Sequence, residues 1–346
     1  MESPSHRKPG LREGAKRALL AGFYLSGSVS YLARRIGEAG VIICLHEVQP
    51  DPRRELFSCA SLPFLNWCLQ WLRQGAWQLV SMDEAMRMLR QHDSRRFAVV
   101  TFDDGYRDTL EHAYPLLKKW GIPFTIYIPS DAITRRLNAW WLGIRTVFQR
   151  HERVVCDPMN RIFDCGDIES KVTGVRTMEG WINADRRRAA ALDDFFKRHD
   201  ICLESICQRY FLGADEVRAL ARDELATIGG HTVSHPDLST VDVAQAKAEI
   251  VDNKGHLEDL LQMPLRHFAY PYGSPPAAAG LALELGYETA CTTQASPVRY
   301  ADRKALHLLP RIGIPNVPSR IDFAAQASGL NAALAQLRPS RFLGNA

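Results

Sequence analysis

Two short segments, far apart in the chain, carry residue types that together could perform metal-assisted hydrolysis. Asp103 and Asp104 belong to the segment 101–106 (TFDDGY), which follows an apolar run at residues 97–100. Far downstream, His231 and His235 are spaced four residues apart. One aspartate and two imidazoles can form a facial ligand set for a divalent metal ion and leave coordination positions open. The other aspartate is then free to act as a base, which completes the minimum equipment for this chemistry.

The elements around these residues alternate between predicted strands and predicted helices. The apolar run before the aspartates predicts a buried strand, and α/β folds place catalytic groups at the carboxyl ends of such strands. The alternation predicts a mainly parallel sheet or barrel with the site on one rim. The predicted strands cover residues 41–45, 78–80, 98–102, 124–128, 226–228, 267–269 and 288–292. The predicted helices cover residues 61–74, 83–89, 108–119, 243–261 and 276–285.

One long segment, residues 131–222, interrupts this alternation. It is rich in Arg, Asp and Glu and carries helical patterns. We interpret it as a helical insertion, a lid or a substrate wall, within a catalytic domain at residues 41–315. The tail at residues 316–346 is interpreted as peripheral, with a helix over residues 320–337.

The N-terminal segment, residues 1–40, carries the charge excess of the chain. It holds seven Lys and Arg against three Asp and Glu, whereas the net charge of all 346 residues is +4. We interpret it as a basic amphipathic arm that packs on the domain or lies on the inner membrane surface, since its apolar run is shorter than the ~20 residues that span a bilayer. The expected location is therefore cytoplasmic, with a cleaved signal and a secreted or periplasmic protein as the alternative.

Composition limits the class of protein further. The hydrophobic content of 46% is ample for a buried core. No basic stripe with interleaved aromatic residues is present, so a nucleic-acid partner is not expected. The eight cysteines follow neither a disulfide pattern nor CxxC spacing, which predicts buried apolar residues in a reducing compartment.

Five ordered segments resemble the polysaccharide deacetylase family, the NodB-like carbohydrate esterases of family four that include chitooligosaccharide deacetylase. Each segment is a weak signal alone, but all five in order are specific. They are residues 45–48 (LHEV), 101–106 (TFDDGY), 231–236 (HTVSHP), 268–273 (FAYPYG) and 309–312 (LPRI). The resemblance covers roughly residues 42–314 and implies an α/β fold, a distorted (β/α) barrel with fewer than eight strands.

The resemblance also implies roles for individual residues. Asp104, His231 and His235 would bind one divalent metal ion, usually zinc, and Asp103 would be the catalytic base. The implied reaction removes an N-acetyl group from an amino-sugar-containing glycan and releases acetate. The backbone N–H of Tyr272 would donate to the oxyanion that forms during this reaction.

The chain departs from the family pattern at two points. Many members carry a leaving-group histidine in a C-terminal Leu-x-His-Asp motif, which is absent here. The segment around His46 resembles an early motif of members that act on exopolysaccharides, so His46 is expected to be the general acid, with His307 as the alternative. Many members also have an arginine where this chain has Ala269. Arg311 is expected to supply that cation beside the catalytic base, ahead of Arg266.

Two other functions fit parts of the sequence. A glycoside hydrolase needs two carboxylates that flank the glycosidic bond. A metal-free glycan-binding or scaffold protein would keep only the fold. The adjacent aspartates and the histidine pair favour the metal-dependent deacetylase over both. Trp140 and Trp141 are interpreted as core of the insertion in preference to a sugar-stacking platform, because buried aromatic residues are more common.

Overall fold

The computed structural model describes residues 38–278, 280–314 and 319–330. The strands are β1 (Glu38–Leu45), β2 (Val48–Gln49), β3 (Ala60–Ser61), β4 (Gln78–Leu79), β5 (Phe97–Phe102), β6 (Phe124–Ile128), β7 (Arg153–Cys156), β8 (Arg161–Asp164), β9 (Ala226–Gly230), β10 (His267–Ala269), β11 (Thr289–Cys291), β12 (Val298–Arg299) and β13 (Ile312–Gly313). The α-helices are α1 (Leu62–Gln74), α2 (Met82–Arg90), α3 (Tyr114–Trp120), α4 (Ser130–Ile133), α5 (Trp140–Arg150), α6 (Ile168–Ala184), α7 (Asp193–Arg198), α8 (Leu203–Tyr210), α9 (Ala214–Ala221), α10 (Val243–Leu261), α11 (Leu281–Glu284) and α12 (Arg320–Ala327).

The main sheet is curled and mostly parallel. In the described part of the chain its order is β11-β10-β9-β6-β5-β1-β12, with β13 also paired to β1 and β4 paired to β5. Within this sheet the β1–β12 pair is antiparallel. A bridge between Cys291 and Leu309 connects the β11 edge to the segment before β13, which curls the sheet towards closure. The expected α/β fold, a distorted (β/α) barrel, is confirmed.

The central strands explain where the polar residues emerge. Every residue of β1 and β5 is buried, as parallel strands covered on both faces require. The two strands pair with Leu45 opposite Phe102, so they end at the same level. The N–H of Asp103 then donates to the carbonyl of Leu45 over 2.8 Å. The residues that follow both strands therefore meet at one rim of the sheet.

Two predicted helices differ from the structure. The helix predicted over 108–119 is a π-helical turn, Thr109–Ala113, followed by α3. Pro115 lacks an N–H and cannot donate to the carbonyl four residues earlier, so the first turn widens. The helix predicted over 276–285 shrinks to the single turn of α11. The two prolines 275 and 276 favour extended backbone before them, which shortens the helix.

The segment between β6 and β9 builds its own hydrophobic core. Helices α4–α9 and the β7–β8 hairpin lie there, outside the main sheet. Its core includes Trp140, Phe148, Phe196 and Phe211, and is distinct from the core under the sheet. The segment touches the barrel at an isolated bridge between Tyr106 and Phe211. The insertion therefore stands as a second packed layer beside the rim.

Other expectations fall at the ends of the chain. Most of the arm predicted at residues 1–40 lies outside the described residues, as do residues 331–346 of the predicted tail. The described part of the tail helix, α12, packs Phe323 against Trp67 and Trp71 of α1. No described helix is long and apolar enough to cross a membrane. All eight cysteines are free; seven are buried, but Cys202 is exposed at the start of α8, contrary to expectation.

Candidate active site

The candidate site lies at the rim where the parallel strands end. His46 directly follows β1, and the two aspartates follow β5. His231 directly follows β9, and Tyr272 lies in a 3₁₀ turn after β10. A cavity of about 380 Å³ opens over this rim. The structure thus brings together residues that are up to 226 positions apart in the chain.

Backbone strain is concentrated at this rim. Twelve non-glycine residues of the described chain have positive φ, and four of them belong to the site: Asp104 (70°), Thr232 (67°), His235 (61°) and Tyr272 (57°). Left-handed backbone is costly for residues with a Cβ and persists where the surroundings enforce it. Such a concentration is typical of functional sites.

Asp104, His231 and His235 form a compact set of metal-ligand atoms. The Oδ1 atom of Asp104 lies 3.3 Å from Nε2 of His231 and 3.1 Å from Nε2 of His235. The Nδ1–H of His231 donates to the carbonyl of Ala269 over 2.7 Å, which leaves the Nε2 lone pair facing the carboxylate. Two facing lone pairs repel each other unless a cation or a proton lies between them.

The polar atoms of this set fit a divalent cation. Asp104 Oδ1 is buried and accepts no hydrogen bond of good geometry from the described residues. The pKa of Asp104 is well below its usual range, because the two imidazoles outweigh the effect of burial. Burial lowers the pKa of His235, although Asp104 opposes this, and a neutral imidazole is the form that binds metal ions. The three side chains therefore fit a metal ion of the kind that Asp and His ligands hold.

Asp103 belongs to a different network from its neighbour. Arg311 binds its carboxylate with two hydrogen bonds, Nη1 to Oδ1 over 2.7 Å and Nη2 to Oδ2 over 2.6 Å. Arg311 is itself fully buried and held by the carbonyl of Thr292 over 2.9 Å. Burial raises the pKa of Asp103, but the guanidinium more than offsets this and keeps it below its usual value. Asp103 is thus an oriented, ionised carboxylate beside the metal-ligand set.

A second group of ligand atoms, on Cys44, His46 and Asp103, also lies within 4.8 Å of one another. It fits a metal ion less well. Both oxygens of Asp103 are occupied by Arg311. Burial raises the pKa of Cys44 well above its usual value, so its sulfur is a thiol instead of the thiolate that binds metals. The Asp104 group is therefore the better metal site.

The alternatives left open by the sequence separate clearly in space. His46 lines the cavity, whereas His307 lies in a 3₁₀ turn, Leu306–Leu308, and is not among the lining residues. Arg266 is half exposed and pairs with Asp83 and Glu288 on the outer surface. His46, and not His307, therefore lies in the cavity. Arg311, and not Arg266, lies beside Asp103.

Tyr272 stands at the mouth of the site. Its ring packs against the ring of His235, with 4.7 Å between centroids, and the guanidinium of Arg186 lies 3.3 Å above it. In the described structure the N–H groups of the next two residues donate within the turn, whereas the Tyr272 N–H donates to no backbone carbonyl. The turn therefore leaves this N–H without a backbone acceptor.

The insertion, which the sequence suggested could be a lid or a substrate wall, contributes side chains that line the cavity. Trp140, Trp141, Glu179, Asn183 and Arg186 all line it. Trp140 is both core of the insertion and cavity wall. The sequence drew attention to the two tryptophans, but Glu179, Asn183 and Arg186 lie in or after helices of ordinary composition and no motif singles them out. The interruption of the strand-helix alternation was the only signal.

A buried ion pair joins the insertion to the loop that carries His46. Arg145 of α5 is 2% exposed and binds the carboxylate of Glu47 through Nη1 at 2.7 Å and Nη2 at 2.8 Å. Its Nε lies 3.1 Å from a carboxylate oxygen of Glu55. Val48, which follows Glu47 in the chain, donates its N–H to the carboxylate of Asp108 over 2.8 Å. The backbone after His46 is therefore held from two sides.

The fold and the site define a (β/α) barrel with an Asp-His-His cluster at its rim. The family model for polysaccharide deacetylases matches residues 90–290, more than half of the chain. The chain belongs to the polysaccharide deacetylase family.

Individual proteins match this chain either over a short segment or at low sequence identity. Putative polysaccharide deacetylase YxkH of Bacillus subtilis (strain 168) is 39% identical over 67 residues, which cover 19% of this chain and 24% of that relative. The solved deacetylase PplD of Streptococcus pyogenes, in complex with acetate, has a TM-score of 0.55 at 17% identity, covering 83% of this chain and 97% of its own. IcaB of Ammonifex degensii has a TM-score of 0.53 at 19% identity, and the match covers 84% of this chain and 98% of IcaB. The two solved structures support the fold.

Proposed function

We propose that the protein is a metal-dependent hydrolase that removes N-acetyl groups from an amino-sugar-containing glycan and releases acetate. The observation that carries the proposal is the pairing of two networks at one rim. Asp104, His231 and His235 present a ligand set, and Asp103 stands beside it as an ionised carboxylate fixed by Arg311. Membership of the polysaccharide deacetylase family supports a glycan as the substrate.

The cation would be held by the Asp104 carboxylate and the two Nε2 atoms. When bound, a divalent cation polarises a carbonyl group and lowers the pKa of water. One carboxylate and two imidazoles suit zinc among other divalent ions, so zinc is the metal to test first. The second network gives no ligand and is free for proton transfer.

The side chains of this rim divide the proton transfers between them. Asp103 removes a proton from the water molecule that attacks the acetyl carbonyl carbon. The Tyr272 N–H donates to the oxygen that becomes negative, because its hydrogen is not used by the surrounding turn. His46, at the end of the neighbouring strand β1, gives a proton to the leaving nitrogen as the carbon-nitrogen bond breaks. Arg311 is a positioning residue that keeps Asp103 ionised and oriented.

The test is acetate release from a panel of N-acetylated glycans by the purified full chain. We expect release to stop in a chelator and to return when zinc is added. His235→Ala should lose the metal, measured by elemental analysis, and keep its circular dichroism spectrum. His112→Ala, outside the ligand set, is the matched control and should keep both. Full metal occupancy in His235→Ala would overturn the metal assignment, and new reducing ends without acetate would indicate a glycoside hydrolase.

A further inference from the structure

Helix α10 contacts β9, the strand that leads into His231. Its buried residues recur at helical spacing and are Ala246, Ile250, Asn253 and Leu257. Three of them are apolar, but Asn253 is an amide with no exposed surface. A buried amide is costly unless its polar atoms are hydrogen-bonded, so the partners of Asn253 show what it does there.

The Asn253 amide joins this helix to the ends of two strands. Its Oδ1 accepts the N–H of His231 over 3.0 Å, and its Nδ2 donates to the carbonyl of Ile128 over 3.1 Å. Ile128 and Gly230 pair at the carboxyl ends of β6 and β9. A Cβ at position 230 would lie 2.8 Å from Asn253 Oδ1, so this close approach favours glycine. The backbone of His231 is therefore held by the helix at the point where the sheet ends.

Glu249, one turn earlier on the same side of α10, holds the next part of the histidine loop. Its Oε2 accepts the N–H groups of Val233 over 2.8 Å and of Ser234 over 2.9 Å. Its Oε1 accepts the Ser234 hydroxyl over 2.6 Å. Of the five N–H groups of residues 231–235, three therefore donate to side chains of a single helix.

The backbone of this loop is strained and needs support. Thr232 and His235 have φ of +67° and +61°, a region that residues with a Cβ rarely adopt. Such a conformation persists only where the surroundings enforce it. The carbonyls of Thr232 and Val233 accept N–H groups from the start of α4. The N–H side of the loop depends on Glu249 and Asn253.

We infer that Glu249 and Asn253 are positioning residues that hold the loop of residues 231–235 in its metal-binding conformation before the metal ion arrives. This role rests on the proposed function, in which His231 and His235 are metal ligands. A site whose competent conformation is only partly populated binds its ligand more weakly in the same proportion. Loss of either support therefore weakens metal binding by a protein that is still folded.

The Kd for zinc, measured on the metal-free full chain by competition with a chromophoric chelator, tests this role. We expect Glu249→Ala to raise this Kd about 10-fold, the lower end of the usual cost of removing a group that supports a metal ligand. Glu249→Gln should recover most of the affinity, because its amide oxygen still accepts the two N–H groups and its NH₂ group donates to the Ser234 hydroxyl. Asn253→Ala should also raise the Kd. Because Asn253→Ala leaves two buried backbone groups without partners and threatens the fold, Glu249→Ala decides the test.

Glu258→Ala is the matched control. Glu258 is also a half-buried glutamate of α10 that accepts a backbone N–H, from Leu265 over 2.8 Å. It lies nine residues further along the helix than Glu249, away from the histidine loop. Glu258→Ala should lower the free energy of unfolding of the metal-free protein, measured in urea, and leave the Kd for zinc unchanged.

Two results would overturn the positioning role alone. One is an unchanged Kd for zinc in Glu249→Ala. The other is an equal loss in Glu249→Gln and Glu249→Ala, which would mean that the carboxylate acts through its charge. No zinc binding by the unchanged protein would overturn the proposed metal site and the positioning role with it. The expected shifts in Kd without acetate release from any N-acetylated glycan would overturn the proposed function alone.

Discussion

Asp103 and Asp104 are neighbours in the chain, yet their carboxylates belong to separate networks. The φ of +70° at Asp104 turns the chain sharply after β5. One carboxylate is then directed at Arg311 and the other at the imidazoles of His231 and His235. The turn makes it feasible for a single dipeptide to supply both a metal ligand and a base.

The first prediction concerns Asp103→Asn. The amide oxygen can still accept from Arg311, so we expect the fold and the bound metal to be retained. Turnover should fall by about 10²–10⁴, the usual cost of removing a general base. Acetate release and metal content, measured on the same preparation, test this. Asp164→Asn, on an exposed hairpin, is the control. Near-normal turnover in Asp103→Asn would place the base elsewhere.

The second prediction concerns the general acid. His46→Ala should lower kcat by about 10²–10⁴ with the metal retained, because His46 lines the cavity at the end of β1. His307→Ala should be nearly neutral, because His307 lies outside the cavity wall. In the pH-rate profile, His46→Ala should lose the alkaline limb, which reports the acid. If both the rate and that limb survived, the early motif would be structural here.

The sequence identified the residue types of the site because each motif is local. Asp103 with Asp104, and His231 with His235, are recognisable within six residues of chain. The contact between Arg311 and Asp103 spans 208 positions and depends on the pairing of β13 with β1. The sequence could therefore favour Arg311 over Arg266, but it could not establish the contact. Glu179 had no signal at all, because a glutamate within a polar helix is ordinary.

At the scale of elements, the insertion is fastened to the barrel by a buried ion pair. Arg145 of α5 reaches Glu47, which directly follows His46. The ring of Tyr210 lies 5.2 Å from the same guanidinium. A buried charge is costly when it loses its partner, because it can no longer be solvated. The position of α5 and the loop after β1 are therefore coupled.

The third prediction follows from this coupling. Arg145→Met should lower the free energy of unfolding by about 3–5 kcal/mol, because it leaves Glu47 buried and unpaired. Adding Glu47→Met should recover most of the loss, since the double variant removes both charges. Urea unfolding of the two single variants and the double variant measures this. Arg150→Met, at the exposed end of the same helix, is the control. Additive losses in the double variant would refute the coupling.

Helix α10 was predicted with its exact bounds, and the buried parallel strands were predicted nearly as well. β1, β5 and β6 are continuous apolar runs and were predicted to within three residues, because both of their faces are covered. β12 and β13 have two residues each, too few for a pattern, and owe their structure to pairing with β1. The β7–β8 hairpin was missed because it lies within the polar insertion.

At the scale of the whole molecule, the cavity lies between two hydrophobic cores. The core under the sheet supports the strand ends that carry His46 and Asp104. The core of the insertion supports Trp141 and α6. The barrel thus carries the residues of the proposed reaction, and the insertion contributes part of the cavity lining. The barrel was predictable from alternating elements, whereas the packing of the insertion against it was not.

The main sheet also contains a buried carboxyl group remote from the site. Glu38 begins β1 and is 4% exposed. Among the described residues, neither of its carboxylate oxygens has a hydrogen-bond partner. Burial raises its pKa from 4.5 to about 7, with Arg96 and Arg299 opposing the effect. The folded protein therefore binds a proton here more tightly than the unfolded chain does.

The fourth prediction is that the raised pKa of Glu38 makes the folded protein less stable as the pH rises. Between pH 4.5 and pH 7 the unfolded chain releases the Glu38 proton while the folded protein retains it, so stability present at low pH is lost on the way to pH 7. Glu38→Gln removes this loss and should raise the free energy of unfolding by about 2 kcal/mol more at pH 8 than at pH 5. Urea unfolding at both pH values measures the difference. The exposed Glu224→Gln is the control and should show none. An equal effect of Glu38→Gln at both pH values would show that the carboxyl group titrates alike in the folded and unfolded states.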